Sequence, residues 1–240
     1  MKKILTKFIL MISIIFEIQA IEIKTIDKVS KDYQEAAYSF MSHSYISDED
    51  LKKIDKLKFQ EIPSIFKPDS VLIYKADENI DIPLYIYRPQ KSKDKLLPVI
   101  YYSHGGGFLL RLALNHYQIY QNLADTHNVA VVVPKYRLST EAPFSAALND
   151  VYTGLLYIKK EGKNLNLDSD KIILMGDSAG GNLAAAVCMM ARDRGEFFPK
   201  KQILIYPALN NCYTEDSPFE SVKTNGTGYL LTAEKMEDYL

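Results

Sequence analysis

Ile172-Ile173-Leu174-Met175-Gly176-Asp177-Ser178-Ala179-Gly180-Gly181-Asn182-Leu183-Ala184-Ala185-Ala186-Val187 is the stretch that decides how this chain folds. The apolar run 172–175 reads as a strand buried on both faces. Residues 181–192, rich in Ala, read as a helix. Between them stands Gly-x-Ser-x-Gly, which by itself is a weak pattern. Flanked by a strand and a helix, it marks a sharp turn that lifts a serine hydroxyl, here that of Ser178, above the end of a sheet. Gly176 and Gly180 leave room for such a turn, and the helix N-terminus behind it favours developing negative charge.

Working outward, strands alternate with helices. Residues 97–103, 129–133 and 203–206 read as further strands, and 113–124 and 146–160 as helices, a pattern that implies parallel pairing with helices on both faces. The fold class expected is therefore α/β, a doubly wound, mostly parallel sheet. Upstream, 71–75 and 82–87 predict a β-hairpin around Asp77-Glu78-Asn79 at a sheet edge. Residues 28–43 and 48–59 carry apolar residues at helical spacing, with Ser47 as a cap. The tail 232–240 begins as a helix, with Thr232 capping and Glu234 in the first turn.

Composition narrows the class of function. The 240 residues carry 29 Lys+Arg against 30 Asp+Glu, for a net charge of -1, so no field draws nucleic acid to the chain. Hydrophobic residues at 47% and charged residues at 25% are ordinary for a globular protein with a sizeable core. Lys2, Lys3 and Lys7 followed by the apolar run 8–16 read as an export signal ending at Ala20, too short for a stable membrane span. Ile18 and Glu17 fit such a cleavage site poorly, and an uncleaved amphipathic terminus is the alternative. Cleavage implies a periplasmic or secreted protein; without it the chain is cytoplasmic or membrane-associated. The domains expected are thus a signal peptide at 1–20, a helical cap segment at 21–67 and an α/β core at 68–240. Two cysteines, Cys188 in an apolar run and Cys212 in a polar stretch, exclude a disulfide scaffold, and neither has a neighbour of metal-ligand type.

Upstream of Ser178, directly after strand 97–103, lies His104-Gly105-Gly106-Gly107-Phe108. Acyl transfer needs backbone N–H groups aimed at an oxyanion, and glycines let main chain approach a substrate closely. Gly106 and Gly107 supply two such donors, and Ala179, next to the serine, a third. A phosphate cradle is the competing reading of a glycine triplet, but neither Gly-Lys-Ser/Thr nor Gly-x-Gly-x-x-Gly follows.

Three ordered blocks resemble the hormone-sensitive-lipase-like carboxylesterases of the α/β-hydrolase fold: residues 104–108, Tyr136-Arg137-Leu138 with Phe144-Ser145-Ala146-Ala147, and residues 176–182. The chain departs from that pattern at Lys135, at 139–141 and at Ser145, positions that touch packing more than chemistry. The resemblance implies Ser178 as nucleophile, an oxyanion hole of Gly106, Gly107 and Ala179, and loop-orienting roles for His104 and Asp177. It also implies a small-molecule ester substrate. Arg137 reads as a structural ion-pair partner in preference to a substrate clamp, because a buried arginine needs a partner to stay charged and satisfied, and no metal or organic cofactor is expected, because the chemistry needs only side chains, backbone donors and water. In this family the triad acid and histidine follow the serine, whereas His43, His104, His116 and His127 all precede it. The expectation is a core lacking its last strands and helices, inactive alone, with the strand at 203–206 exposed for self-association. Two alternatives stay open: a ligand-binding protein on the same scaffold, as the plant gibberellin receptor is, or a formamide or other amide hydrolase.

Overall fold

A computed structural model describes residues 67–110, 114–197, 199–228 and 231–239, together with the exposed helical residues Asp48 and Lys52. The expected signal peptide and the body of the helical segment at 21–67 lie outside the described residues. Among these residues six strands form one sheet: β1 (Ser70–Asp77), β2 (Ile80–Tyr87), β3 (Leu97–Ser103), β4 (Ala130–Pro134), β5 (Leu167–Asp177) and β6 (Lys201–Ile205). Their spatial order is β1-β2-β4-β3-β5-β6. β1 and β2 make an antiparallel hairpin, β2 joins β4 antiparallel, and β4, β3, β5 and β6 run parallel. The hairpin is tightened where Asn79 N–H donates to Asp77 Oδ1 at 2.9 Å, the local turn chemistry that asparagine and aspartate favour.

Period-2 alternation assigns the strands' side chains to two cores. Leu84, Ile86, Val99, Tyr101, Ala130, Val132, Ile172 and Leu174 are buried on one face, beneath helices α2 (Ala146–Glu161) and α3 (Ala179–Arg194). Tyr85, Tyr87, Ile100, Tyr102, Val131, Val133 and Met175 are buried on the other, against Tyr117, Tyr120 and Ala124 of α1 (Leu114–His127). Helices on both faces of a mainly parallel sheet are the doubly wound arrangement expected. α3 stops at Gly195, whose φ of 65° makes the left-handed cap that a glycine accepts without penalty. Two short helices follow, α4 (Glu220–Asn225) and α5 (Ala233–Asp238). The Thr232 side chain accepts from Lys235 N–H at 3.2 Å, the cap expected from the sequence. Cys188 and Cys212 stand as free, half-buried thiols. No helix among the described residues is long and apolar enough to cross a membrane.

Candidate active site

The site begins where β5 turns into α3. Ser178 takes φ 52° and ψ -120°, a conformation L-residues rarely adopt and one that costs of order 1–3 kcal/mol unless the surroundings enforce it. They do so here: Ser178 N–H donates to Ile205 O at 2.9 Å, and its carbonyl accepts from Asn182 N–H at 3.0 Å and Ala208 N–H at 3.3 Å. The glycines on either side are steric requirements. A β-carbon on Gly176 would stand 2.2 Å from Gly180 O, and one on Gly180 only 2.0 Å from Ser103 O. Ser178 itself is half-buried at the sheet's rim.

The close approach of Gly180 to Ser103 seats the glycine loop beside this elbow. β3 and β5 pair with Ser103 opposite Gly176, so both strands end at one level. The loop then turns through Gly106 (φ 120°), Gly107 (φ 59°) and Phe108 (φ 60°). Leu109 and Leu110 donate back to Gly106 O at 3.1 and 2.9 Å, and Ser139 N–H donates to Phe108 O at 2.8 Å. The N–H groups of Gly106 and Gly107 donate to no protein acceptor among the described residues. Ala179, first residue of α3, has an N–H without an intrahelical acceptor. A β-carbon on Gly107 would meet the Tyr239 side chain at 2.4 to 2.7 Å, so the phenol of the residue that follows α5 lies directly on the loop.

Two polar networks brace this arrangement. In the first, Asp177 Oδ1 accepts Gly105 N–H at 3.0 Å and Tyr102 O–H at 2.9 Å, while Oδ2 faces His116 Nε2 at 3.4 Å. Burial pushes the Asp177 carboxyl up, but the His116 hydrogen bond and charge, with Tyr102 and the Gly105 N–H, outweigh it and hold the group below the usual carboxylate range. In the second, buried His104 stacks on Tyr136 with ring centroids 4.4 Å apart. Tyr136 O–H donates to His104 O at 2.8 Å, and His104 Nδ1 lies 2.7 Å from Gly105 O. Both His104 and Asp177 thus contact the glycine loop. Arg137 meets Asp150 through Nε at 2.9 Å, Nη2 at 2.7 Å and its own N–H at 3.0 Å, a forked pair against a fully buried carboxylate.

His116 and Tyr239 were not legible as site residues. A lone helical histidine and a tail tyrosine carry no local signal, and only tertiary packing sets them at the loop. Ser178 Oγ hydrogen-bonds to none of His104, His116 and His127 among the described residues. No group of His, Cys, Asp and Glu there is arranged to hold a metal ion.

Comparison with known proteins agrees with this geometry. A family described as "alpha/beta hydrolase fold" matches residues 100–240. Carboxylesterase NlhH of Mycobacterium tuberculosis is 36% identical over 160 residues, 67% of this chain and 49% of that protein. Arylacetamide deacetylase of Oryctolagus cuniculus is 33% identical over 180 residues, 72% of this chain and 44% of that protein. The chain spans about half the length of the curated relatives it matches. Among solved structures, an esterase of Pyrobaculum calidifontis superposes with TM-score 0.63 at 33% identity, over 89% of this chain and 64% of that one. With the family matched over more than half its length, and a serine elbow packed against a glycine loop, this chain belongs to the alpha/beta hydrolase family.

Proposed function

We propose that the chain carries the nucleophile and oxyanion half of a serine hydrolase of carboxylic esters. The observation that supports this most is the strained Ser178 conformation at the end of β5, beside a loop whose Gly106 and Gly107 N–H groups have no protein acceptor among the described residues. Ser178 Oγ attacks the ester carbonyl, the negative charge passes to the carbonyl oxygen, and Gly106, Gly107 and Ala179 N–H stabilise it. The general base that takes the Ser178 proton on attack returns it to the leaving oxygen as the intermediate collapses, so that the alcohol departs and an acyl-serine is left for water to hydrolyse. Losing one oxyanion donor in such a site costs about 3 kcal/mol of transition-state stabilisation. The general base and its orienting acid come from residues other than those described. No cofactor enters, because the chemistry needs only side chains, backbone donors and water.

A second reading, amide hydrolysis by the same residues, is favoured by the likeness to an arylacetamide deacetylase. Both are tested with p-nitrophenyl butyrate and the matching p-nitroanilide, on the 240-residue chain and on the gene read past Leu240. Ester turnover that Ser178→Ala abolishes is expected from the longer product. Turnover unchanged by Ser178→Ala, or none from any product, overturns the proposal, and faster cleavage of the anilide moves the assignment to amides.

A further inference from the structure

The Asp177 carboxylate divides its two oxygens between the glycine loop and α1. Oδ1 holds Gly105 N–H and Tyr102 O–H, and Oδ2 faces the His116 imidazole, 61 residues away in sequence. Asp177 is 7% exposed, and a carboxylate so enclosed needs a compensating partner. Among the described residues no Lys or Arg pairs with it, and its one ion-pair partner is His116. The His116 side chain is 15% exposed. Its Nδ1 is buried without a partner, so the ring's polar contact is Nε2 to Asp177.

We propose that His116 is a positioning residue of the oxyanion site: by gripping Asp177 Oδ2 it fixes the carboxylate that holds Gly105 N–H, and so the aim of the Gly106 and Gly107 N–H groups. At 3.4 Å the contact is long for an N–H donor facing a carboxylate, whereas the bond from an imidazolium to a carboxylate shortens toward about 2.8 Å. Protonating the imidazole therefore draws Oδ2 toward α1 and turns the carboxylate against Gly105. Little slack is available, because a β-carbon on Gly105 would stand 2.3 Å from Oδ2. The other titratable groups around the pair are Tyr102, Tyr120, Tyr136, Tyr206 and His104. Burial pushes all four phenols up, so they stay neutral at physiological pH. His104 lies 6.4 Å from His116 between ring centroids and stacks on Tyr136.

The inference rests on reading Gly106 and Gly107 as oxyanion donors, but its test needs no turnover. Ring signals of His116 and amide signals of Gly105, Gly106 and Gly107 are followed by NMR from about pH 5 to 8. In the wild-type chain the glycine amides are expected to shift with the midpoint of the His116 ring. His116→Gln keeps an N–H donor but no charge, and should remove from the amide shifts the component that follows the His116 ring. His116→Leu should speed exchange of the Gly105 amide with solvent by about tenfold, and Gln should restore protection. Glycine amides that stay flat while the wild-type His116 ring titrates, or that titrate unchanged in His116→Gln, overturn the proposal. Coupled titration, with no ester turnover from the longer product either, leaves the positioning role standing and removes the hydrolase reading instead.

Discussion

Replacing Arg137 by alanine should destabilise the fold far more than replacing its partner. The carboxylate of Asp150 is fully buried, and the three N–H groups it accepts all come from Arg137, two of them from the guanidinium. Arg137→Ala leaves only the backbone donor at 3.0 Å, and an uncompensated buried charge typically costs about 3–5 kcal/mol. The reverse deletion is milder. The Arg137 side chain is 24% exposed and can recover water, and alanine suits the helical position of Asp150 better than aspartate does. Asp150→Ala should therefore cost about 1–2 kcal/mol, and the double variant less than Arg137→Ala alone. Urea midpoints read with a common slope give the three values. Asp150→Ala costing as much as Arg137→Ala, or Arg137→Ala costing under about 1 kcal/mol, would refute the reasoning. The segment at stake also holds the glycine loop, since Ser139 N–H donates to Phe108 O.

Two further outcomes are expected. Because the Asp177 carboxyl sits below the usual range, it contributes stability that is present above the unfolded value of about 3.9 and fades as pH falls through the lower folded value. The urea-midpoint gap between wild type and Asp177→Asn should be widest above about pH 4 and narrow as the pH falls below that; a gap that does not change with pH contradicts the assignment. Gly107→Ala combines a left-handed φ of 59° with a collision against Tyr239. About 1–2 kcal/mol from the backbone should persist in a Tyr239→Ala background, while the remainder disappears. Equal costs in both backgrounds would show that the ring does not rest on the loop.

Most of the sheet was legible because its buried strands are short apolar runs bounded by turn residues. β3 matches its expected span, and β4 and α2 differ from theirs by a residue at the ends. β5 differs more: it begins at Leu167, through the polar residues Asp168, Ser169 and Asp170. No local pattern marks these as strand. Leu167 and Asp168 pair with Leu97 and Pro98 before a register shift, so the pairing is imposed from outside the segment. α3 begins at Ala179, inside the expected turn, because the backbone reversal is concentrated at Ser178. The site divides in the same way. Ser178 and the glycines were readable since their conformations demand those residue types, and Arg137 was seen to need a partner. Asp150 as that partner, His116 beneath Asp177 and Tyr239 over Gly107 depend on contacts between distant elements that leave no trace in spacing.

The close junction between β3 and β5 bears on when in folding the site comes into being. Gly105 and Asp177 are 72 residues apart in sequence, and Tyr102 and Asp177 are 75. Closing a loop of that size costs about 4 kcal/mol of chain entropy by the logarithmic law. α1, β4 and α2 lie between the two strands in sequence, and their packing on the sheet helps offset that cost. During synthesis the glycine loop leaves the ribosome long before Ser178, with no acceptor yet made for its Gly105 amide. A partly folded chain therefore presents neither a strained serine nor an aimed set of donors, and the reactive geometry arises together with the completed sheet.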